Sequence, residues 1–246
     1  MKFQNNSRNR LLSFCVVNNM STEKTLPASL SIPLPVYTAA EETANSILHG
    51  AGFIAAAAGL VLLCLKTNGV LGGHRAADLD IAAAAVFTTA MTGMFLASTL
   101  YHAVQRRRVK RILQIMDHSA IFVFIAGTYT PFCLSVLKGV LGWSIFASQW
   151  SLALLGIILN VMDSKALKKI ETAAYIIMGW IIIVGSVPLI RSAPVRSIVL
   201  LFAGGAAYTV GTFWYRKKNI RHTHTVWHIF VMIGTLCHWC SVWFLY

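Results

Sequence analysis

The chain has 246 residues, of which 57% are hydrophobic and 12% charged, and its mean hydropathy is +0.65. A soluble domain needs about 25% charged residues to wet its surface, so the composition sets a soluble enzyme aside and points to an integral membrane protein. The formal net charge of +13 does not imply nucleic acid, because the basic residues fall in the gaps between long apolar runs, where cytoplasmic loops carry them.

Residues 1–40 are polar and broken by Pro27, Pro33 and Pro35, which predicts a flexible cytoplasmic tail ahead of a seven-helix domain at 41–246. The apolar stretch from Leu11 to Val17 is too short to span, and no cleavage signal follows it, so no signal peptide is expected. Met20 offers an alternative start, which would make residues 1–19 an upstream artefact.

Beyond the tail, apolar windows of about 20 residues predict an all-α polytopic fold with seven transmembrane helices. They fall at 44–65, 79–102, 112–137, 140–161, 172–191, 195–215 and 224–246. With the N-terminus inside, sixteen of the 21 Lys and Arg residues lie on the cytoplasmic side. That asymmetry predicts an N-in, C-out topology. The five cysteines lack a paired-loop arrangement and read as free thiols rather than disulfides. Gly127, Gly156, Gly179, Gly185, Gly204, Gly205 and Gly211 read as sites of close helix approach.

The informative residues are polar ones inside the spans, which are costly in lipid and usually face the bundle interior. Glu42, Asn45 and His49 form one stripe on the first span, Ser98 and His102 end the second, and Asp117 and His118 begin the third. His224 and His228 begin the seventh, with His238 about 15 Å deeper. All but His238 fall at the cytoplasmic ends of their helices, although the orientation came from Lys and Arg alone. His224 and His228, four apart, share a helical face. With His102 they make three imidazoles and an open position, the pattern of a catalytic zinc site. Asp117 is placed to take a proton from a metal-activated water, and Ser98 to hydrogen-bond that water or a substrate carbonyl. Glu42, Asn45 and His49 are expected to support the ligating histidines. His238 is expected in a buried interhelical hydrogen bond, and His118 as an interfacial side chain.

The sequence resembles the haemolysin III family of bacterial inner-membrane proteins, relatives of the progestin and adiponectin receptor family. The resemblance is carried by EETANSILHG at 41–50, LASTLYHA at 96–103, MDHSAIFVFIAGTYTP at 116–131, WSLALLGI at 150–157, YIIMGW at 175–180 and WHIFVMIGTLCHW at 227–239. It covers residues 38–246 and implies seven helices, an N-in orientation and a Zn²⁺ ion near the cytoplasmic face. Its ligands fall on His102, His224 and His228, with Asp117 at the metal water and Ser98 one turn away. A local departure is Trp239, where the family often has Phe. The animal relatives imply a ceramidase-like hydrolase. The leading expectation is therefore a zinc-dependent hydrolase of a lipid amide or ester, with membrane lipids as partners. The alternative is a sensor or receptor with a structural zinc, and a pore or haemolysin ranks third.

Overall fold

In the computed structural model, residues 35, 37–72, 74–217 and 220–246 are described; the expected tail up to residue 34 and the alternative start at Met20 lie outside them. The first helix, α1 (Ala39–Thr67), begins in a reciprocal cap. Thr38 Oγ1 accepts from the Glu41 amide at 3.2 Å, while Glu41 Oε2 accepts from the Thr38 amide at 2.8 Å. The remaining helices are α2 (Asp78–Ala103), α3 (Arg107–Leu137), α4 (Gly139–Val161), α5 (Lys165–Ser192), α6 (Val195–Tyr215) and α7 (Thr223–Trp243). Among the described residues there is no strand. Even α6 and α7, at 21 residues each, are about 32 Å long, enough for a hydrocarbon core of about 30 Å.

Three helices start earlier than their apolar windows, at Ala39, Arg107 and Lys165 rather than 44, 112 and 172. The reason is that hydropathy registers only the part of a helix that lipid would touch. The starts of α1, α3 and α5 are polar: Arg107, Arg108, Lys165, Lys168 and Lys169 are exposed, whereas Glu41, Glu42, Lys110, Arg111 and Glu171 are buried, all less than 9% exposed. Lys110 and Arg111, which the sequence places in a loop, therefore belong to the packed end of α3.

Successive helices pack as neighbours, and α7 closes the ring against α1. At one end of that seam Lys66 donates to the Trp243 carbonyl at 2.7 Å, and Trp239 Nε1 donates to the Gly59 carbonyl at 3.2 Å. At the other end the His222 amide donates to Glu41 Oε1 and Thr225 Oγ1 to Asn45 Oδ1, each at 2.7 Å. A Phe at position 239 would have no donor for the Gly59 carbonyl. Large aliphatic side chains such as Ile54, Val184 and Leu236 point outward, each more than 60% exposed, as lipid-facing positions require.

Two prolines shape the ring. Pro188 cannot donate to the turn before it, and the stretch just upstream, Ile181–Gly185, tightens to a 3₁₀ turn inside α5. Tyr129 on α3 repairs the break: its hydroxyl donates to the Met178 carbonyl at 2.7 Å and accepts from the Ile182 amide at 2.8 Å. Pro131 precedes a π-helical end to α3 at Phe132–Leu137. Of the glycines expected at close approaches, Gly127, Gly156, Gly185, Gly204 and Gly211 have a neighbour where a Cβ would sit, but Gly179 has open space and Gly205 only ordinary contact. Cys64, Cys133, Cys237 and Cys240 are free, while Cys15 lies outside the described residues.

Candidate metal centre

Alternating helix directions bring the starts of α1, α3, α5 and α7 and the end of α2 to one end of the bundle. There His102 of α2 meets His224 and His228 of α7. One ring nitrogen from each lies within 4.8 Å of the others, a group able to coordinate a metal ion. The ring centroids are 4.4 Å apart for His224 and His228, 5.0 Å for His102 and His228, and 5.3 Å for His102 and His224. His102 and His228 are buried and His224 is partly so.

Glu42 of α1 fixes the orientation of His102. Its Oε2 lies 2.7 Å from His102 Nδ1, and a carboxylate can only accept, so Nδ1 carries the proton and Nε2 keeps its lone pair. That Nε2 stands 3.1 Å from His228 Nε2. The other Glu42 oxygen pairs with Lys110 Nζ at 2.7 Å, and Lys110 also donates to the Tyr101 carbonyl at 3.0 Å. A buried carboxylate is thereby compensated on both oxygens.

Asn45 is turned to Thr225 rather than to a histidine. His49 packs its ring 3.8 Å from that of His228, centroid to centroid, and among the described residues neither of its ring nitrogens has a hydrogen-bond partner. Ser98 and Asp117 are buried and face one interior cavity. His238 stands apart from this group, with its Nε2 donating to the Leu201 carbonyl at 3.1 Å across to α6. Gly204 makes room for that ring, since a Cβ there would lie 2.2 Å from His238 Cδ2.

The cavity measures about 140 Å³ and runs from His224, His228 and Asp117 down to Leu201, Phe132 and His238. From His224 to His238 the helical rise is about 21 Å. Below its polar mouth the lining, from α2, α3, α5, α6 and α7, is mostly aromatic and aliphatic, with Thr128, Thr209 and His238 among it.

Two features escaped the sequence reading. Tyr37, just before α1, stacks on His224 at 4.8 Å between centroids and stands 5.8 Å from the His102 ring. Burial, with the nearby Tyr101, Tyr215, Asp117 and Glu42, pushes its phenol far above the usual range, so it stays a neutral donor. Glu171 and Tyr175 of α5, which the sequence leaves to a connecting stretch and a span, pair with His118. Their spacing of four on one helical face was the only local signal.

The chain matches the family described as Haemolysin-III related over residues 37–239. It is 40% identical over 200 residues to the Hemolysin-3 homolog of Bacillus subtilis (strain 168), covering 81% of this chain and 92% of that one. Over 195 residues it is 39% identical to the Hemolysin-3 of Bacillus cereus, with 79% and 87% covered. It is also 26% identical over 220 residues to the human Monocyte to macrophage differentiation factor, with 84% of each chain covered. No solved structure gives a significant match.

Proposed function

Because the chain belongs to the haemolysin III-related family of multi-pass membrane proteins, we propose that its three histidines hold a zinc ion and that it hydrolyses an amide or ester bond of a membrane lipid. The carrying observation is that an apolar cavity opens directly onto the histidine cluster beside a buried carboxylate, Asp117. The donor set fits zinc. In a tetrahedral site with Zn–N near 2.05 Å, two ligand nitrogens stand about 3.3 Å apart, close to the 3.1 Å between His102 Nε2 and His228 Nε2. Three imidazoles, one steadied by a carboxylate, suit that ion.

Zinc when bound supplies Lewis acidity and a water acidified towards neutral pH. The chain's own groups supply the rest. Asp117 takes the proton of the attacking water. Ser98, one turn before His102, donates to the substrate carbonyl oxygen. The cavity receives one acyl chain, its length comparable to one leaflet's share of the hydrocarbon core, and keeps bulk water from the reacting carbon. A ceramide-like N-acyl lipid is the substrate class that fits a polar mouth above a single apolar channel. The histidine end faces the cytoplasm, as the excess of Lys and Arg at that end of the bundle supports.

A second reading is favoured by the bonds linking Glu42, His102 and His228, which tie α1, α2 and α7 at one level. A metal there would lock three helix ends, as a sensor or receptor with a structural zinc requires. The buried carboxylates Glu41, Glu42, Asp117 and Glu171 all lie at one end and make no relay across the membrane, which speaks against a pore.

Asp117→Asn separates the two readings. The hydrolase reading expects the variant to fold, keep its zinc, and lose cleavage of a lipid amide by about 10²–10⁴-fold. Zinc held tightly by a parent protein that cleaves nothing on a broad panel of lipid amides and esters would establish the sensor reading instead. Loss of zinc from Asp117→Asn would make Asp117 a partner of the metal itself.

A further inference from the structure

Lining the same cavity, one residue beyond Asp117, is a second titratable group to which the hydrolase reading assigns no work. His118 Nδ1 lies 3.1 Å from both carboxylate oxygens of Glu171 on α5. The Tyr175 hydroxyl is 2.9 Å from both Glu171 Oε1 and the His118 carbonyl oxygen, its single proton shared between them. The Glu171 side chain is 10% exposed and that of His118 24%. His118 and Tyr175 line the cavity, whereas Glu171 stands behind them. The groups facing His118 are Glu171, Tyr175 and Lys168 from α5 and Asp117 from its own helix.

Glu171 accepts from Nδ1, which fixes the tautomer and leaves Nε2 as the ring nitrogen not tied to the protein by this pair. Among the described residues, the buried Glu171 carboxylate is hydrogen-bonded by a histidine and a tyrosine. The arrangement is a histidine held by a carboxylate, which is how general acids are oriented.

We propose that His118, positioned by Glu171 and Tyr175, is the general acid that protonates the leaving nitrogen of an amide substrate. The inference rests on the hydrolase reading and specifies it as an amidase chemistry. Amide cleavage requires two proton movements at separate atoms. Water adds its oxygen to the carbonyl carbon and gives one proton to Asp117. The C–N bond then breaks, its electron pair goes to nitrogen, and the imidazolium Nε2–H of His118 supplies that nitrogen's proton. The proton on Asp117 returns His118 to its starting state, so the balance is one water and one amide to one acid and one amine. Two titratable groups with different surroundings at adjacent positions divide the base and acid roles. Glu171 and Tyr175 are positioning residues, acting through His118.

The test compares two substrates with the same acyl chain in detergent-solubilised, zinc-loaded protein. One is an N-acyl amine, whose nitrogen must be protonated to leave. The other is an activated aryl ester, whose phenolate leaves unaided. His118→Gln should lose amide cleavage by about 10²-fold or more, and ester cleavage by less than about tenfold, with zinc content unchanged. Glu171→Gln should shift the amide-to-ester ratio in the same direction by a smaller factor. A second readout needs no zinc and no turnover: nitrogen-15 histidine spectra of the metal-free protein should show His118 Nδ1 protonated and hydrogen-bonded in the parent, with that signal displaced in Glu171→Gln. Equal losses on both substrates, or no loss, would overturn the proposal while leaving the hydrolase standing. An unprotonated His118 Nδ1 in the parent would overturn it too. A parent that cleaves neither substrate removes the hydrolase reading itself, and the general acid with it.

Discussion

Glu42 and His102, sixty residues apart in the chain, are joined at 2.7 Å between carboxylate Oε2 and imidazole Nδ1. The bond spans α1 and α2 and decides which nitrogen of His102 faces the cluster. Because Lys110 holds the other Glu42 oxygen, the carboxylate cannot swing away without leaving a buried ammonium behind.

Glu42→Gln should therefore weaken zinc binding by about 10–100-fold, the usual cost of losing a carboxylate behind a metal-ligating histidine. Competition against a chelator of known affinity measures it. Each of His102→Ala, His224→Ala and His228→Ala should lose most of the metal, whereas His74→Ala, exposed in the connection after α1, should retain it. Stoichiometric zinc in all three ligand variants would reduce the cluster to interhelical packing.

Orientation is open to a direct test. Alkaline phosphatase fused after Tyr246 should be active and a fusion near Arg108 inactive, if the basic loops face the cytoplasm. The reverse pattern would put the histidine end on the outer side.

Tyr129→Phe tests how the broken part of α5 is held. The change takes the Tyr129 oxygen from the Ile182 amide and leaves the Met178 carbonyl with Gln149 Nε2, at 2.9 Å, and the Ile181 amide. A buried amide left unpaired costs about 1–3 kcal/mol. A lowered unfolding temperature in detergent, with zinc content unchanged, is the expected result; an unmoved temperature would mean that water or a lipid replaces the hydroxyl.

Gly204→Ala should destabilise the seam between α6 and α7, because the new Cβ would also lie 3.0 Å from the Gly234 carbonyl oxygen. Overpacking of this kind costs about 1–3 kcal/mol, read in the same thermal assay. Gly179→Ala, with open space at its Cβ, is the matched control and should change little.

What the sequence determined by itself follows from solvent. Lipid tolerates only long apolar helices, so seven windows were legible, and their interiors at Ala83, Phe122 and Leu201 are buried in the bundle. The three histidines were legible for the same reason: imidazoles are conspicuous in apolar runs, and a spacing of four puts His224 and His228 on one face whatever the fold does. Only tertiary structure decided their partners. Glu42 and Glu41 are adjacent acids with similar local surroundings, yet one steadies His102 and the other caps α1 and receives the His222 amide. Lys110, Arg111 and Glu171 read as loop charges because a helix end buried against protein looks the same in composition as one in water. His118 looked like an ordinary interfacial histidine until α5 brought Glu171 to it, a pairing across 53 residues that no local periodicity encodes. Spacing along one helix is set by the helix's own geometry, but contact between helices is set by how their ridges and small residues fit, and that is a property of the packed bundle alone.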